Sequence, residues 1–272
     1  MASAVNQTGM YRVDGDPHPT GEPACEPASL RRRLGHWLRV DAAHLLWPSR
    51  CLACDAPGLD GLDLCAACVA ALPWNRRACP RCALPLPASD VCGGCLHDEV
   101  VLARRGRVPV LDGVHASFVY AAPLDRLLPR FKFHGDLPAG ALLSQLLAET
   151  AATRPRPDAL VPLPLHRARL RRRGYDQALE LARPLARALD LPLCGDLLQR
   201  VRATAPQSEL SAGARRRNVQ GAFAVRTGRP LPAHVVLVDD VMTTGATLRA
   251  AATALKRAGV QRVDAWVCAR VP

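Results

Sequence analysis

The spacing of hydrophobic and polar positions changes three times along this chain. Residues 1–28 are polar, with several Pro and Gly and no apolar core of the signal-peptide kind, and are expected to be a disordered lead-in. Over 29–48, Leu30, Leu34, Trp37, Leu38, Leu45 and Leu46 fall broadly on one side of a helix, with Arg31, Arg32, Arg33 and Arg39 elsewhere. Such a basic amphipathic helix can lie on a membrane or pack on its own protein. Residues 49–100 are short of large apolar side chains. From 108 to 272, apolar runs alternate with helical patterns as in an α/β domain. Strands are predicted at 114–121, 159–163, 223–226, 235–238 and 262–270, and helices at 124–133, 139–152, 174–189 and 248–258. Pro129 falls inside the first helix, Pro184 must kink or interrupt the third, and Gly259 closes the last. No stretch reaches the roughly 18–20 apolar residues of a membrane span, so a soluble, cytoplasmic protein is expected.

The run 235–248, V-V-L-V-D-D-V-M-T-T-G-A-T-L, carries the candidate chemistry. Four apolar residues fit a strand buried on both faces. Two acids, a small hydroxyl-rich turn and a helix follow, and the carboxyl end of such a strand is where open α/β sheets bind ligands. Free N–H groups at the helix start favour an anion. Gly245 permits close backbone approach, and the hydroxyls of Thr243, Thr244 and Thr247 can donate to phosphate oxygens. Asp239 and Asp240 are poor neighbours for a bare phosphate. They fit the vicinal hydroxyls of a ribose, met directly or through Mg²⁺, so a ribose 5-phosphate unit satisfies both demands. The competing reading is structural, a buried strand whose terminal Asp caps the next helix. No G-x-x-x-x-G-K-[ST] pattern is present, and the chain has only two lysines, which argues against a P-loop NTPase.

Residues 235–248 resemble the 5-phosphoribosyl-1-pyrophosphate (PRPP) binding motif of type I phosphoribosyltransferases. The resemblance implies that Asp239 and Asp240, the candidate catalytic residues, hold the ribose 2′- and 3′-hydroxyls. It assigns the 5′-phosphate to Val241, Met242, Thr243, Thr244, Gly245, Ala246 and Thr247.

Eight of the eleven cysteines form four C-x-x-C knuckles at similar intervals: Cys51/Cys54, Cys65/Cys68, Cys79/Cys82 and Cys92/Cys95. A knuckle presents two thiolates to one ion, so four knuckles predict two Cys₄ zinc sites. A redox motif would occur once, and a disulfide framework would want a secreted context. Sequential pairing is expected, Cys51, Cys54, Cys65 and Cys68 on one ion and Cys79, Cys82, Cys92 and Cys95 on the other, with interleaved ligation left open. The metal is expected to supply much of this region's folding free energy. Cys25, Cys194 and Cys268 have no partner at ligand spacing. Trp74 is either a stacking surface or the plug of a small core.

Charge alters the picture in one respect. The balance of 36 basic to 24 acidic residues gives +12, and two Cys₄–Zn²⁺ centres would lower it to about +8. The excess favours phosphates, nucleic acid or an anionic surface without choosing among them.

Three more stretches resemble the ComF family of phosphoribosyltransferases: V-P-L-P-L-H-R-A-R-L-R-R-R-G-Y-D-Q-A at 161–178, A-P-Q-S-E-L-S-A-G-A-R-R-R-N-V-Q-G-A-F at 205–223, and R-F-K-F-H-G-D at 130–136. The four-knuckle block in front belongs to the same architecture. Asp176 stands where that family usually has Asn, which puts a substrate contact in doubt, and Ala214 where an acid is common. The resemblance implies a type I phosphoribosyltransferase-like parallel sheet flanked by helices, preceded by a small double zinc ribbon. It implies PRPP and Mg²⁺ as ligands, and single-stranded DNA and DNA-processing proteins as partners in DNA uptake. Loss of pyrophosphate from C1 builds positive charge on the sugar, as in glycoside cleavage, so basic groups should meet the departing anion. Candidates are Lys132 and the loop and helix carrying Pro162, Leu163, Arg173, Gly174 and Gln177, with Arg167, Arg169, Arg171 and Arg172 alongside. Solvated surface arginines are the alternative for that run. Residues 207–218 are expected to form a mobile hood. The alternative function is a zinc-ribbon nucleic-acid adaptor whose pocket is idle or senses PRPP.

Overall fold

Four parallel strands make the sheet on which the candidate motif sits: β1 (Gly113–Val119), β2 (Ala159–Pro162), β5 (His234–Met242) and β6 (Arg262–Arg270). Across the sheet they run in the order β1-β6-β5-β2. A computed structural model describes residues 49–59, 61–202, 219–226, 228 and 230–272. The lead-in expected over 1–28, the amphipathic helix over 29–48 and the hood over 207–218 lie outside the described residues. A short antiparallel pair, β3 (Leu198–Arg200) and β4 (Phe223–Val225), stands apart. β4 falls within the strand expected at 223–226, whereas β3 is not among the expected elements.

Alternation along β5 divides two cores. Val236 and Val238 pack with Leu143, Leu147, Leu181 and Leu185, from the helices α4 (Leu137–Ala151) and α6 (Gln177–Leu189). Val235 and Leu237 pack with Leu248, Ala251, Ala252 and Leu255 of α7 (Ala246–Ala258). Each strand residue is thus buried on its own face, which is why the strand reads as an unbroken apolar run. The helix α3 (Leu124–His134) closes the first core through Leu124, Leu127, Leu128 and Phe131. Among the described residues no helix is long and apolar enough to cross a membrane.

Three expectations change. The strand expected over 235–238 continues through both acids to Met242, because β6 pairs with it as far as Arg270. The helix expected over 174–189 begins only at Gln177, as α6, and a separate helix not expected there, α5 (Arg167–Arg173), precedes it and ends at Gly174, whose φ of 82° is left-handed. Pro184 does not interrupt α6, whose buried face of Leu181, Ala182, Leu185 and Ala186 outweighs one missing N–H.

The cysteine block docks on the sheet. The N–H of Val119 donates to Pro73 O at 2.8 Å and that of Asn75 to Ser117 O at 2.9 Å, so the block extends the free edge of β1. Trp74 is the plug: its ring centroid is 4.7 Å from that of buried Phe118. Arg130 Nη1 donates to Leu52 O at 2.6 Å from the other side. The helices of the block, α1 (Ala66–Ala70) and α2 (Gly93–Ala103), each start from a cysteine.

The thiols form two tetrads, Cys51/Cys54/Cys65/Cys68 and Cys79/Cys82/Cys92/Cys95, with the sulfurs of each within 4.8 Å of one another. Cys54 Sγ lies 3.7 Å from Cys65 Sγ and 3.6 Å from Cys68 Sγ, and Cys82 Sγ 3.6 Å from Cys92 Sγ. Tetrahedral zinc with bonds of about 2.3 Å needs sulfur–sulfur edges of about 3.8 Å, so the donor sets fit Zn²⁺ and the pairing is sequential. Backbone N–H groups of Cys68 and Cys92 donate to Cys65 and Cys79 sulfurs at 3.4 Å, as knuckles do to thiolates. Metal analysis should therefore return two zinc ions per chain, and chelation should melt the block while releasing the edge of β1. A ratio well below two would remove zinc from the account.

A tight contact tests the first core. A Cβ on Gly140 would lie 2.4 Å from the ring of Phe131, a side chain with no solvent exposure. Gly140→Ala should cost about 1–3 kcal/mol in chemical denaturation, because overpacking exceeds the gain in helix propensity.

Candidate functional site

The site arises where β5 outruns β2. The two pair from Ala159↔Val235 to Pro162↔Val238, and the N–H of Leu163 makes one further bond to Val238 O at 2.9 Å. Pro164 then carries the chain away from the sheet. Residues 239–242 of β5 keep β6 on one side and have lost β2 on the other, so their open edge becomes a wall of a crevice. Its volume is about 720 Å³.

Asp239 and Asp240 line this crevice, Asp240 with 5% of its surface exposed. Each accepts the next backbone N–H on Oδ1: Asp240 N–H to Asp239 at 2.9 Å and Val241 N–H to Asp240 at 2.8 Å. Lys132, near the end of α3, brings Nζ to 2.7 Å from Asp240 Oδ2. Burial pushes the Asp239 carboxyl well above the usual range, the charge of Asp240 adds to this, and Lys132 opposes it. Burial works against the Lys132 ammonium, but Asp240 beside it holds its pKa above the ordinary value. Beneath the acids lies Cys268 on β6, whose thiol is pushed up by burial and then by both carboxylates.

The turn after β5 is shaped by Gly245. Its φ is 68°, a left-handed conformation that favours glycine, and a Cβ there would sit 2.4 Å from the tip of the Met242 side chain. Thr244 Oγ1 accepts the Ala246 N–H at 3.4 Å, and Arg249 Nη2 donates to the Thr244 carbonyl. Val241, Met242, Thr243, Gly245, Ala246 and Thr247 all line the crevice. The start of a 13-residue helix, α7, faces it from behind this turn.

Positive charge rings the opposite wall. Arg169, Arg172 and Arg173 of α5 and Arg200 of β3 line it. Burial, then Arg173 and Arg172, lower the pKa of Arg169, while burial and Arg169 lower that of Arg200. Cations crowded to the point of mutual repulsion mark a place where an anion stabilises all of them. Arg173 stacks 5.4 Å over the exposed ring of Phe133.

Of the sequence candidates, Leu163 and Gln177 also line the crevice, whereas Pro162 is buried in β2, Gly174 caps α5 and Thr244 faces into its own turn. Arg200, Phe133 and Tyr120 line it without having been singled out. Phe133 adjoins Lys132 in a motif that named only the lysine, and Arg200 sits in a strand too short to announce itself. Asp176 is fully engaged in holding backbone. Its Oδ1 accepts the N–H groups of Ala178 and Leu179 at 3.1 and 3.3 Å, and its Oδ2 that of Leu165 at 3.0 Å. It caps α6 and clamps the loop after β2 at once, which uses both oxygens. An Asn amide could supply only one of those acceptors.

Comparison with known proteins agrees in both halves. A family model described as a double zinc ribbon domain matches residues 42–96, and one described as a phosphoribosyl transferase domain matches 176–272. The DNA utilization protein YhgH of Escherichia coli (strain K12) is 35% identical over 234 residues, covering 82% of this chain and 97% of that protein. Competence protein F of Haemophilus influenzae is 34% identical over 76% of this chain and 90% of its own length. Competence protein ComFC of Bacillus subtilis is 29% identical over 66% and 72%. YhgH and competence protein F align over nearly their whole length, and in this chain the ribbon precedes the transferase domain, which leaves one conclusion: this chain belongs to the ComF family of phosphoribosyltransferase-domain proteins with an N-terminal double zinc ribbon.

Proposed function

We propose that the crevice binds PRPP with Mg²⁺ and that the chain has phosphoribosyltransferase capacity, exercised in the cytoplasm in the use of incoming DNA. The observation that carries this reading is the acid pair opening into a crevice beside a left-handed glycine turn and a helix start. Asp239 and Asp240 would accept hydrogen bonds from the ribose hydroxyls, and residues 241–247 would hold the 5′-phosphate with N–H and hydroxyl donors. Arg169, Arg172, Arg173 and Lys132 would meet the pyrophosphate, whose departure is favoured by fixed positive charge. The donor set fits Mg²⁺ too. Oδ1 of each acid takes a backbone N–H and Asp240 Oδ2 pairs with Lys132, and carboxylate oxygens of this kind are the ligands a hard cation prefers. Bound there, the ion would neutralise charge on the pyrophosphate.

The DNA element comes from the relatives, named for competence and DNA utilization. One observation supports a nucleic-acid surface: Arg167, Arg171 and Arg172 are exposed on α5, the helix whose Arg169, Arg172 and Arg173 line the crevice. Single strands held by such contacts would be released steeply by salt.

Titration calorimetry with PRPP and Mg²⁺ tests the first part. Wild type should bind, and Asp239→Asn/Asp240→Asn should weaken binding roughly hundredfold or more, since several hydrogen bonds to charged acceptors go together. No binding by wild type refutes the reading. For the second part, single-stranded DNA affinity across a salt series should lose about two units of log–log slope in Arg167→Ala/Arg171→Ala/Arg172→Ala. An unchanged slope places DNA elsewhere or nowhere.

A further inference from the structure

We infer that Arg270 is a positioning residue that ties the second cysteine tetrad to the turn at the candidate site. Its effect on PRPP affinity rests on the reading above, but the mechanical link does not. Arg270 ends β6 in register with Met242 at the end of β5. Its Nε donates to the carbonyl of Cys82, 188 residues away, at 3.0 Å. Its Nη1 reaches the carbonyl of Met242 at 3.4 Å and that of Val271. One guanidinium therefore spans from a zinc knuckle to the residue that precedes the turn.

Both ends of this span are rigid. The Cys82 sulfur belongs to the tetrad, and the next residue, Ala83, is buried with a left-handed φ of 54°. The N–H of Ala83 donates to Cys79 O at 2.8 Å, and Asn75 Nδ2 donates to its carbonyl at 2.9 Å. The Cys82 carbonyl cannot rotate without opening the knuckle. At the other end Met242 is buried, and its Cε occupies the space where Gly245 has no side chain. Thr243 and Thr244 follow Met242 directly, so a shift of the Met242 backbone shifts the turn.

The electrostatics run the same way. Carbonyl oxygens pointing into an anion site would repel the anion. The carbonyl of Met242 is engaged by the Val271 N–H at 3.0 Å and by Arg270, and that of Thr244 by Arg249, which leaves N–H groups to face the crevice. A tetrad that holds its metal holds the Cys82 carbonyl that Arg270 grips, and Arg270 in turn holds the strand end from which the turn departs.

Hydrogen–deuterium exchange at the amides of residues 243–247 tests this directly, alongside zinc content and PRPP affinity. Arg270→Met should retain two zinc ions yet exchange roughly tenfold faster there, the effect expected from losing hydrogen bonds to a charged donor. Arg270→Lys, which keeps the charge without the fork, should fall between and serves if the Met variant folds poorly. Cys95→Ser should lose one zinc and loosen the same amides, whereas Cys54→Ser, in the first tetrad, should not. The double variant Arg270→Met/Cys95→Ser should be no looser than its worse parent, since both break one link. PRPP affinity should fall in the same order. The link is overturned if Arg270→Met exchanges like wild type, if Cys54→Ser loosens the turn as much as Cys95→Ser, or if the double variant is additive. If wild type fails to bind PRPP, the functional reading falls, and exchange still decides the link.

Discussion

Unequal pairing of the central strand is the constraint that shapes everything around it. β5 has a partner on both edges up to Val238 and on one edge beyond it. In the doubly paired half the strand is buried and Val235 to Val238 are all apolar. In the singly paired half the open edge must be satisfied otherwise, and the acids do part of this by folding their own oxygens onto the next N–H. A crevice at that point follows from geometry. Its chemistry follows from which side chains the last four residues of the strand carry.

Two acids held partly out of water are costly unless something compensates. Lys132 compensates Asp240 at 2.7 Å, and the helix that brings it packs its own apolar face into the first core. Across the crevice the arginines of α5 repel one another. The site is therefore polarised, acids at the sheet and cations at the loop. Such a field suits a ligand with hydroxyls at one end and multiple negative charge at the other.

The cysteine block is more than a neighbour. It covers the edge of β1, which would otherwise be exposed for pairing with another chain. Trp74, Asn75, Cys82 and Leu52 each make a specific contact with the sheet or its helices. A region with so few large apolar residues can do this because metal-bound knuckles hold their backbone rigid without a core of their own.

Local chemistry was legible in the chain alone. Knuckle spacing prescribed two metal sites, the apolar run prescribed a buried strand, and D-D-x-x-T-T-G-x-T identified the turn, because each depends on residues close together in the chain. The same patterns located the ribbon ahead of the α/β region. Folding in three dimensions settled what no local pattern contains. It selected Arg200, Phe133 and Tyr120 for the crevice, and it left Pro162, Gly174 and Thr244 out of the lining. It decided for the plug over the stacking surface at Trp74, and made Asp176, a departure from the family pattern, a cap and clamp. It also joined Cys82 to Met242 through Arg270. Those outcomes depend on the register of parallel strands and on the docking of distant segments, and neither leaves a period or a spacing along the chain.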